Sequence, residues 1–275
     1  MNRMRWIRVP ACLLALTAAV AASAQPPSAA NGIIGIANIG LRVSDVDKEV
    51  AFLGKLGFEE SFTSAQGANS FEVYVKVNDR QFIEVYSRTA PNQPLGWLHV
   101  CYEAGDLNAL QKFYSSTGLG PTPVKKGSAG NLISQVTDPS GNVTQFIQYM
   151  PDSRQVQDKG QHLGPDRLSE AILGFVMPVH ELLVEKDFYT RLGFESQDVG
   201  SVIRLTTAGA PEMRVEITHG VAGGRPQILL PITDAHKAAE QLKRLGVNAT
   251  LHDKIVLVRD DDGNSFVLLE TGSKD

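Results

Sequence analysis

Cysteine is nearly absent from this chain. Two occur in 275 residues, and Cys12 falls inside an apolar stretch near the N-terminus. Without that stretch only Cys101 remains, which excludes an intramolecular disulfide and leaves apolar burial to hold the fold. Blocks of basic residues are missing too, which argues against nucleic acid or an anionic membrane surface as a partner. No Gly-x-Ser-x-Gly, phosphate-binding loop or dinucleotide fingerprint occurs, so the motifs of serine hydrolases and nucleotide-binding enzymes are lacking.

Residues 1–24 read as an export leader. Arg3, Arg5 and Arg8 give a basic start, residues 11–22 are apolar but short for a bilayer, and Ala22-Ser23-Ala24 supplies the small-x-small cleavage pattern. The expectation is export, to a bacterial periplasm or out of the cell, with a mature chain beginning near Gln25 and no stable membrane span after cleavage. An uncleaved anchor is the alternative. Loss of the leader leaves 23 Lys and Arg against 30 Asp and Glu, a net charge of −7. The remaining chain, roughly 250 residues, suffices for one large or two medium domains.

What the chain has is repetition. Asn38 to Asp45 is an alternating run closed by a helix-capping pair, and the runs His99 to Asp106 and Gln227 to Asp234 repeat it. A weaker copy spans Gly174 to Glu181. A helical pattern follows each run: Val46, Val50 and Leu53; Leu107, Leu110 and Phe113; Val184 and Phe188; Ala238, Leu242 and Leu245. Ser44 and Thr233 are the expected N-caps, and Gly57, Gly118, Gly193 and Gly246 the expected left-handed exits. Each helix precedes enough chain for three short strands, in the first repeat Phe58 to Thr63, Phe71 to Val77 and Gln81 to Tyr86. Asp138-Pro-Ser-Gly-Asn142 and Asp260-Asp-Asp-Gly-Asn264 read as tight turns rather than calcium loops, since they lack that motif's ligand spacing. The unit is β-α-β-β-β, present four times. Residues 33–150 and 169–272 each hold two copies, and 151–168 form a polar linker.

One spacing occurs twice. Asn38 and Glu84 lie 46 residues apart, as do His99 and Gln145. Strand alternation groups Asn38 with Gly40 and Arg42, Glu84 with Tyr86, His99 with Cys101, and Gln145 with Ile147. Their opposite faces are apolar and can pack under the helices, leaving these mixed faces to line a cleft. Four ligand-capable side chains at matched positions suggest one site about an internal pseudo-twofold axis. Arg42 and Tyr86 are the further candidates for contact with a substrate. His162, His180, His219, His236 and His252 lie in the linker, near helix starts or at strand ends, where solvated or capping roles are usual.

The repeated strand, the Asp-capped helix, the Leu-Gly-Phe exits at 56–58 and 192–194 and the Asp-Pro-x-Gly-Asn turn resemble the vicinal oxygen chelate superfamily, which includes glyoxalases, extradiol dioxygenases and bleomycin-resistance proteins. The resemblance covers essentially the whole mature chain and implies an α+β fold. In that fold four βαβββ modules pair into two domains, each a curved mixed sheet with helices on its outer face. It implies ligand positions at Asn38, Glu84, His99 and Gln145 in the first half and at Gly174, Glu216, Gln227 and Val267 in the second. Glycine and valine offer no side-chain donor, so the second half is expected to be structural or to serve a homodimer. In metal-dependent members such a site holds one divalent ion (Ni, Zn, Mn or Fe), with glutamate moving a proton alpha to a carbonyl. Here only Glu84 brings a negative charge and could be the base, and the single histidine lacks the two-His-one-carboxylate face of the dioxygenases.

Three readings follow from these residues. One is a glyoxalase-like lyase or isomerase acting on a small oxygen-containing molecule. Another is a metal-free binding protein of the bleomycin-resistance type, in which Glu84 and His99 form a hydrogen-bonded pair. The third is an inactive interaction module.

Overall fold

The computed structural model describes residues 32–65, 71–220 and 224–272. The expected leader, with Cys12, lies outside the described residues. Strand β1 (Ile33–Val43) leads to helix α1 (Val46–Lys55) and strands β2 (Glu59–Ala65), β3 (Phe71–Asn78) and β4 (Gln81–Ser87). The unit repeats as β5 (Gly96–Ala104), α2 (Leu107–Ser116), β6 (Lys125–Lys126), β7 (Leu132–Thr137) and β8 (Val143–Gln148). After a short helix α3 (Arg154–Gln157) come β9 (Gly174–Val179), α4 (Leu182–Arg191), β10 (Glu195–Val199), β11 (Val202–Thr207) and β12 (Ala210–His219). The last copy comprises β13 (Gln227–Ile232), α5 (Ala235–Arg244), β14 (Ala249–His252), β15 (Ile255–Arg259) and β16 (Ser265–Glu270).

Two eight-stranded mixed sheets result, ordered β2-β3-β4-β1-β5-β8-β7-β6 and β10-β11-β12-β9-β13-β16-β15-β14. Each order is symmetric about its central antiparallel pair, β1 with β5 and β9 with β13. On either side of that pair the strands run parallel, β1 with β4 and β5 with β8. The four βαβββ units and their α+β class are therefore as the repeats predict.

Most of the helix faces that the periodicity selects are inside: Val46 and Leu53 on α1, Leu107 and Leu110 on α2, Phe188 on α4, Ala238 and Leu242 on α5. Val184 and Leu245 are exposed instead, because α4 turns Glu185, Phe188 and Tyr189 inward and Leu245 is the C-cap of α5, past its last turn. The two halves share one apolar core. Trp97 packs on Phe175 with ring centroids 5.2 Å apart, Tyr102 on Phe194 at 5.4 Å, and Phe52 on Phe266 at 5.5 Å. The Tyr114 hydroxyl donates to the Leu192 carbonyl at 2.9 Å, so the second sheet buttresses the first from the face opposite the cleft.

Two local expectations shift by one residue. The N-caps are Asp45 and Asp234, not Ser44 and Thr233: each aspartate is extended and accepts the amide three residues on, from Lys48 at 3.2 Å and Lys237 at 2.9 Å. Both members of each pair are good caps by type, and the Ser44 amide is taken by Asp262 Oδ2 at 2.7 Å instead. The four helix-exit glycines all have positive φ, from +71° to +99°. The two Asp-to-Asn segments are tight turns. Asp138 accepts the Asn142 amide at 2.6 Å, and Asp260 accepts that of Asn264 at 2.7 Å. Among the described residues, no helix is long and apolar enough to cross a membrane.

Candidate functional site

Strand register places the cleft residues in rows across the first sheet. One row reads Gln135, Gln145, Cys101, Asn38, Phe82 and Lys76. The next holds Val143, His99, Gly40, Glu84 and Tyr74, and a third holds Arg42, Tyr86 and Glu72. A cavity of about 500 Å³ opens over these rows. All six residues singled out from sequence line it: Asn38, Arg42, Glu84, Tyr86, His99 and Gln145. Leu98, Ile133 and Ile147 supply apolar wall.

The centre of the cleft exists because residue 40 has no side chain. A Cβ at Gly40 would lie 2.7 Å from His99 Nδ1 and 2.8 Å from Nε2. The imidazole therefore lies over the backbone of β1 and reaches the neighbouring strand, where Nε2 meets Glu84 Oε2 at 3.1 Å. The Tyr86 hydroxyl lies 3.1 Å from the same oxygen and makes a short hydrogen bond to Glu72 Oε1. Ser128 Oγ approaches the other Glu72 oxygen at 3.5 Å.

Burial governs the charges of this group. Desolvation raises the Glu84 carboxyl to about 7, and desolvation with the nearby Glu84 raises Glu72 to about 8. Desolvation lowers His99 to about 4, and the Tyr86 phenol is pushed well above its usual range, first by burial and then by the two carboxylates. At neutral pH the imidazole is thus uncharged, and the Glu84–His99 contact is a hydrogen bond rather than an ion pair. One phenol proton cannot serve two carboxylates, so a second proton held on Glu84 or Glu72 completes the chain.

The other candidates sit apart from this chain. Asn38 is buried, contacts the Cys101 thiol, and leaves its Oδ1 without a partner among the described residues. Gln145 Nε2 turns to Gln135 Oε1 at 3.5 Å, and Arg42 Nη1 donates to the Pro94 carbonyl at 3.2 Å. Glu72 and Gln155 are among the cleft residues not singled out from sequence. Glu72 alternates with Tyr74 and Lys76 on β3, but that strand is buried on both faces, so the alternation alone does not mark which side lines the cleft. Gln155 comes from the segment between the two halves, which folds back onto the sheet; it accepts from Asn131 Nδ2 at 2.7 Å.

These residues do not fit a resident divalent ion. The two strongest donors, His99 and Glu84, are bonded to each other, and Glu72 is taken up by Tyr86 and Ser128. The two remaining positions carry neutral amides, the weaker donors for a dication. Among the described residues, no three His, Cys, Asp or Glu side chains converge as ligands. The pseudo-twofold axis supplies a reason for the short Asn38. It relates His99 over Gly40 to Asn38 over Cys101, so the space left open for an imidazole on one side is filled by a thiol on the other. In the second half the matched carboxylate, Glu216, is bonded by Arg204 at 2.9 Å and Arg214 at 2.8 Å, so side-chain cations already neutralise it. Gly174 and Val267 offer nothing beside it, and Gln227 is alone.

No protein-family model matches the sequence, and no curated protein is similar to it in sequence. Solved structures are similar over nearly the whole chain. A 2,3-dioxygenase, LapB from Pseudomonas sp. KL28, is 16% identical with a TM-score of 0.68, covering 88% of this chain and 93% of that one. A catechol 2,3-dioxygenase is 12% identical with a TM-score of 0.66, covering 89% and 91%. The Mn(II)-bound glyoxalase from Novosphingobium aromaticivorans is 18% identical with a TM-score of 0.62, covering 86% and 82%. The chain has the vicinal oxygen chelate fold. At these identities the likeness is one of architecture, and chemistry must be argued from the cleft itself.

Proposed function

We propose that the cleft of the first sheet binds a small oxygen-containing molecule and that Glu84 moves a proton on it without a resident metal. The protein would then be an isomerase- or lyase-type enzyme. The observation that carries this is the Glu84 carboxyl at the cleft floor, held between neutral His99 and Tyr86 with a proton affinity matched to neutral pH. As carboxylate, Glu84 accepts a proton from carbon alpha to a bound carbonyl. His99 Nε2 orients it, and Tyr86 with Glu72 keeps a proton at hand for return to the developing oxyanion or the neighbouring carbon.

The test is solvent-deuterium incorporation into 2-hydroxy ketones such as hydroxyacetone and dihydroxyacetone, using chelator-treated protein. Exchange is expected to survive chelation and to fall about 100-fold or more in Glu84→Gln. Exchange unchanged in that variant, or abolished by chelator, would sink the reading. Two amide–amide pairs in the cleft, Gln145 with Gln135 and Asn131 with Gln155, favour a second reading, metal-free sequestration; ligand binding with no exchange in wild-type protein would establish it. Export is part of the proposal, and sequencing the N-terminus of secreted or periplasmic protein tests it, with Gln25 expected first.

A further inference from the structure

The two sides of the cleft differ in chemistry. The side chains that β3 and β4 contribute to it, Glu72, Tyr74, Glu84 and Tyr86, all carry oxygen. Those of β7 and β8 are Ile133, Val143 and Ile147, with two amides, Gln135 and Gln145, turned to each other. Beyond that amide pair a second cavity, of about 270 Å³, opens at the β6–β7 edge of the sheet. Lys125, Ile133, Gln135 and Gln145 line both spaces, so the pair stands as the partition between cleft and annex. Its contact is weak: Gln145 Nε2 reaches Gln135 Oε1 at 3.5 Å, the outer limit of a hydrogen bond. The hydroxyls of the annex are already bonded within its wall. Ser134 Oγ donates to the Thr122 carbonyl at 2.6 Å, and Thr122 Oγ1 accepts from the Gln135 backbone N–H at 3.0 Å. What the annex offers an incoming group is therefore Ile133, Pro123 and the stem of Lys125.

We propose that the substrate is amphipathic: its oxygenated head lies over Glu84 and His99, and an aliphatic tail crosses β8, parts Gln135 from Gln145 and fills the annex. This rests on the cleft being the binding site, and it names the class of molecule that fits. Strand register sets the direction and the length. His99 lies beside Val143, Gln145 beside Gln135, and Ile147 beside Ile133. The path from the His99 strand to β7 crosses two strand spacings, about 10 Å, which an extended chain of roughly eight carbons covers. Val143, Ile147 and Ile133 flank that path, so each methylene leaves water for apolar contact. The opposite course, toward β3, would set a tail against two carboxyls and two phenols. A medium-chain 2-hydroxy ketone is the compound this arrangement selects.

Binding of 1-hydroxy-2-alkanones of four, six, eight and ten carbons, measured by titration calorimetry, tests the assignment. In wild-type protein affinity should rise about fourfold per methylene up to roughly eight carbons and level off beyond. Gln135→Trp, which fills the entrance, should erase the gain between six and eight carbons. Gln135→Ala, which removes the partition without filling it, should keep that gain. Pro123→Trp obstructs the annex from its exposed outer side and should also erase the gain, so the test stands even if Gln135→Trp fails to fold. Affinity independent of chain length, no binding of the eight-carbon ketone at millimolar concentration, or a gain that survives in the folded tryptophan variants would overturn the proposal. Deuterium exchange on hydroxyacetone reads Glu84 without any tail, so failure here and failure of the enzymatic reading are separable.

Discussion

Gly40 and His99 face each other across β1 and β5, and the imidazole occupies the space where a Cβ of residue 40 would stand. Gly40→Ala must push the ring off the sheet and away from Glu84. Overpacking of a buried site costs about 1–3 kcal/mol, and the lost hydrogen bond adds to it. We expect a lower melting temperature and a His99 imidazole signal shifted in NMR, with proton exchange reduced in parallel with Glu84→Gln. Wild-type melting and an unmoved His99 signal would refute the packing argument.

Much of the architecture was legible because its signals are local and repeated. Alternating runs, helix faces and exit glycines occur four times, and each copy checks the others. Six cleft residues were legible because β1, β4, β5 and β8 have one apolar and one mixed face. Glu72 was not, because β3 is buried on both faces, so its pattern does not declare which side looks into the cleft. Gln155 depends on a tertiary contact with no trace in local periodicity. The Glu84–His99 pairing turns on Gly40, whose meaning appears only when two strands 59 residues apart are in register.

Donor chemistry and the space at Cys101 together predict how a metal site could be rebuilt. Asn38→His alone should fail, because the thiol fills the room that Gly40 provides on the other side. Combined with Cys101→Gly and Gln145→Glu it presents two imidazoles and two carboxylates, a set suited to Mn, Fe, Ni or Zn. After chelation and reloading, metal analysis should find about one ion per chain in the triple variant and far less in wild-type protein. Near-stoichiometric metal in the wild type would contradict the fit argued above.

Stability should fall as pH rises above neutrality. The folded-state carboxyls of Glu84, Glu72 and Glu49 stand at about 7, 8 and 9, each raised first by burial; for Glu72 the next cause is Glu84, for Glu49 it is Asp260. An acid raised in the folded state binds its proton more tightly there, so its stabilising effect is present at low pH and lost as pH climbs from about 4.5 to the folded value. His99, lowered to about 4, acts in the opposite direction below about 6.5 and is silent above it. From pH 6.5 to 9 only the acids act. Urea unfolding should show a monotonic decline across that range, and Glu49→Gln should flatten its upper part. A flat or rising profile would be inconsistent with protonated carboxyls in the core.

Lys76 ties the segment between the two halves to the cleft sheet. Its ammonium is fully buried, donating to the Asp158 carbonyl at 2.6 Å and to Asp158 Oδ2 at 2.9 Å, with Asp79 Oδ1 at 3.0 Å. Asp79 also accepts the Gly160 amide at 2.7 Å, so the segment carrying Gln155 is fastened at two points. Removing one partner of a buried pair leaves the others uncompensated, a loss of about 3–5 kcal/mol. Lys76→Met should therefore destabilise by that order and expose residues near 155–162 to protease before global unfolding. Lys76→Met with Asp158→Leu should recover part of the loss, because no buried carboxylate then remains beside the new side chain. Proteolysis at unchanged sites, with stability within about 1 kcal/mol of wild type, would mean that the segment is held by something other than this lysine.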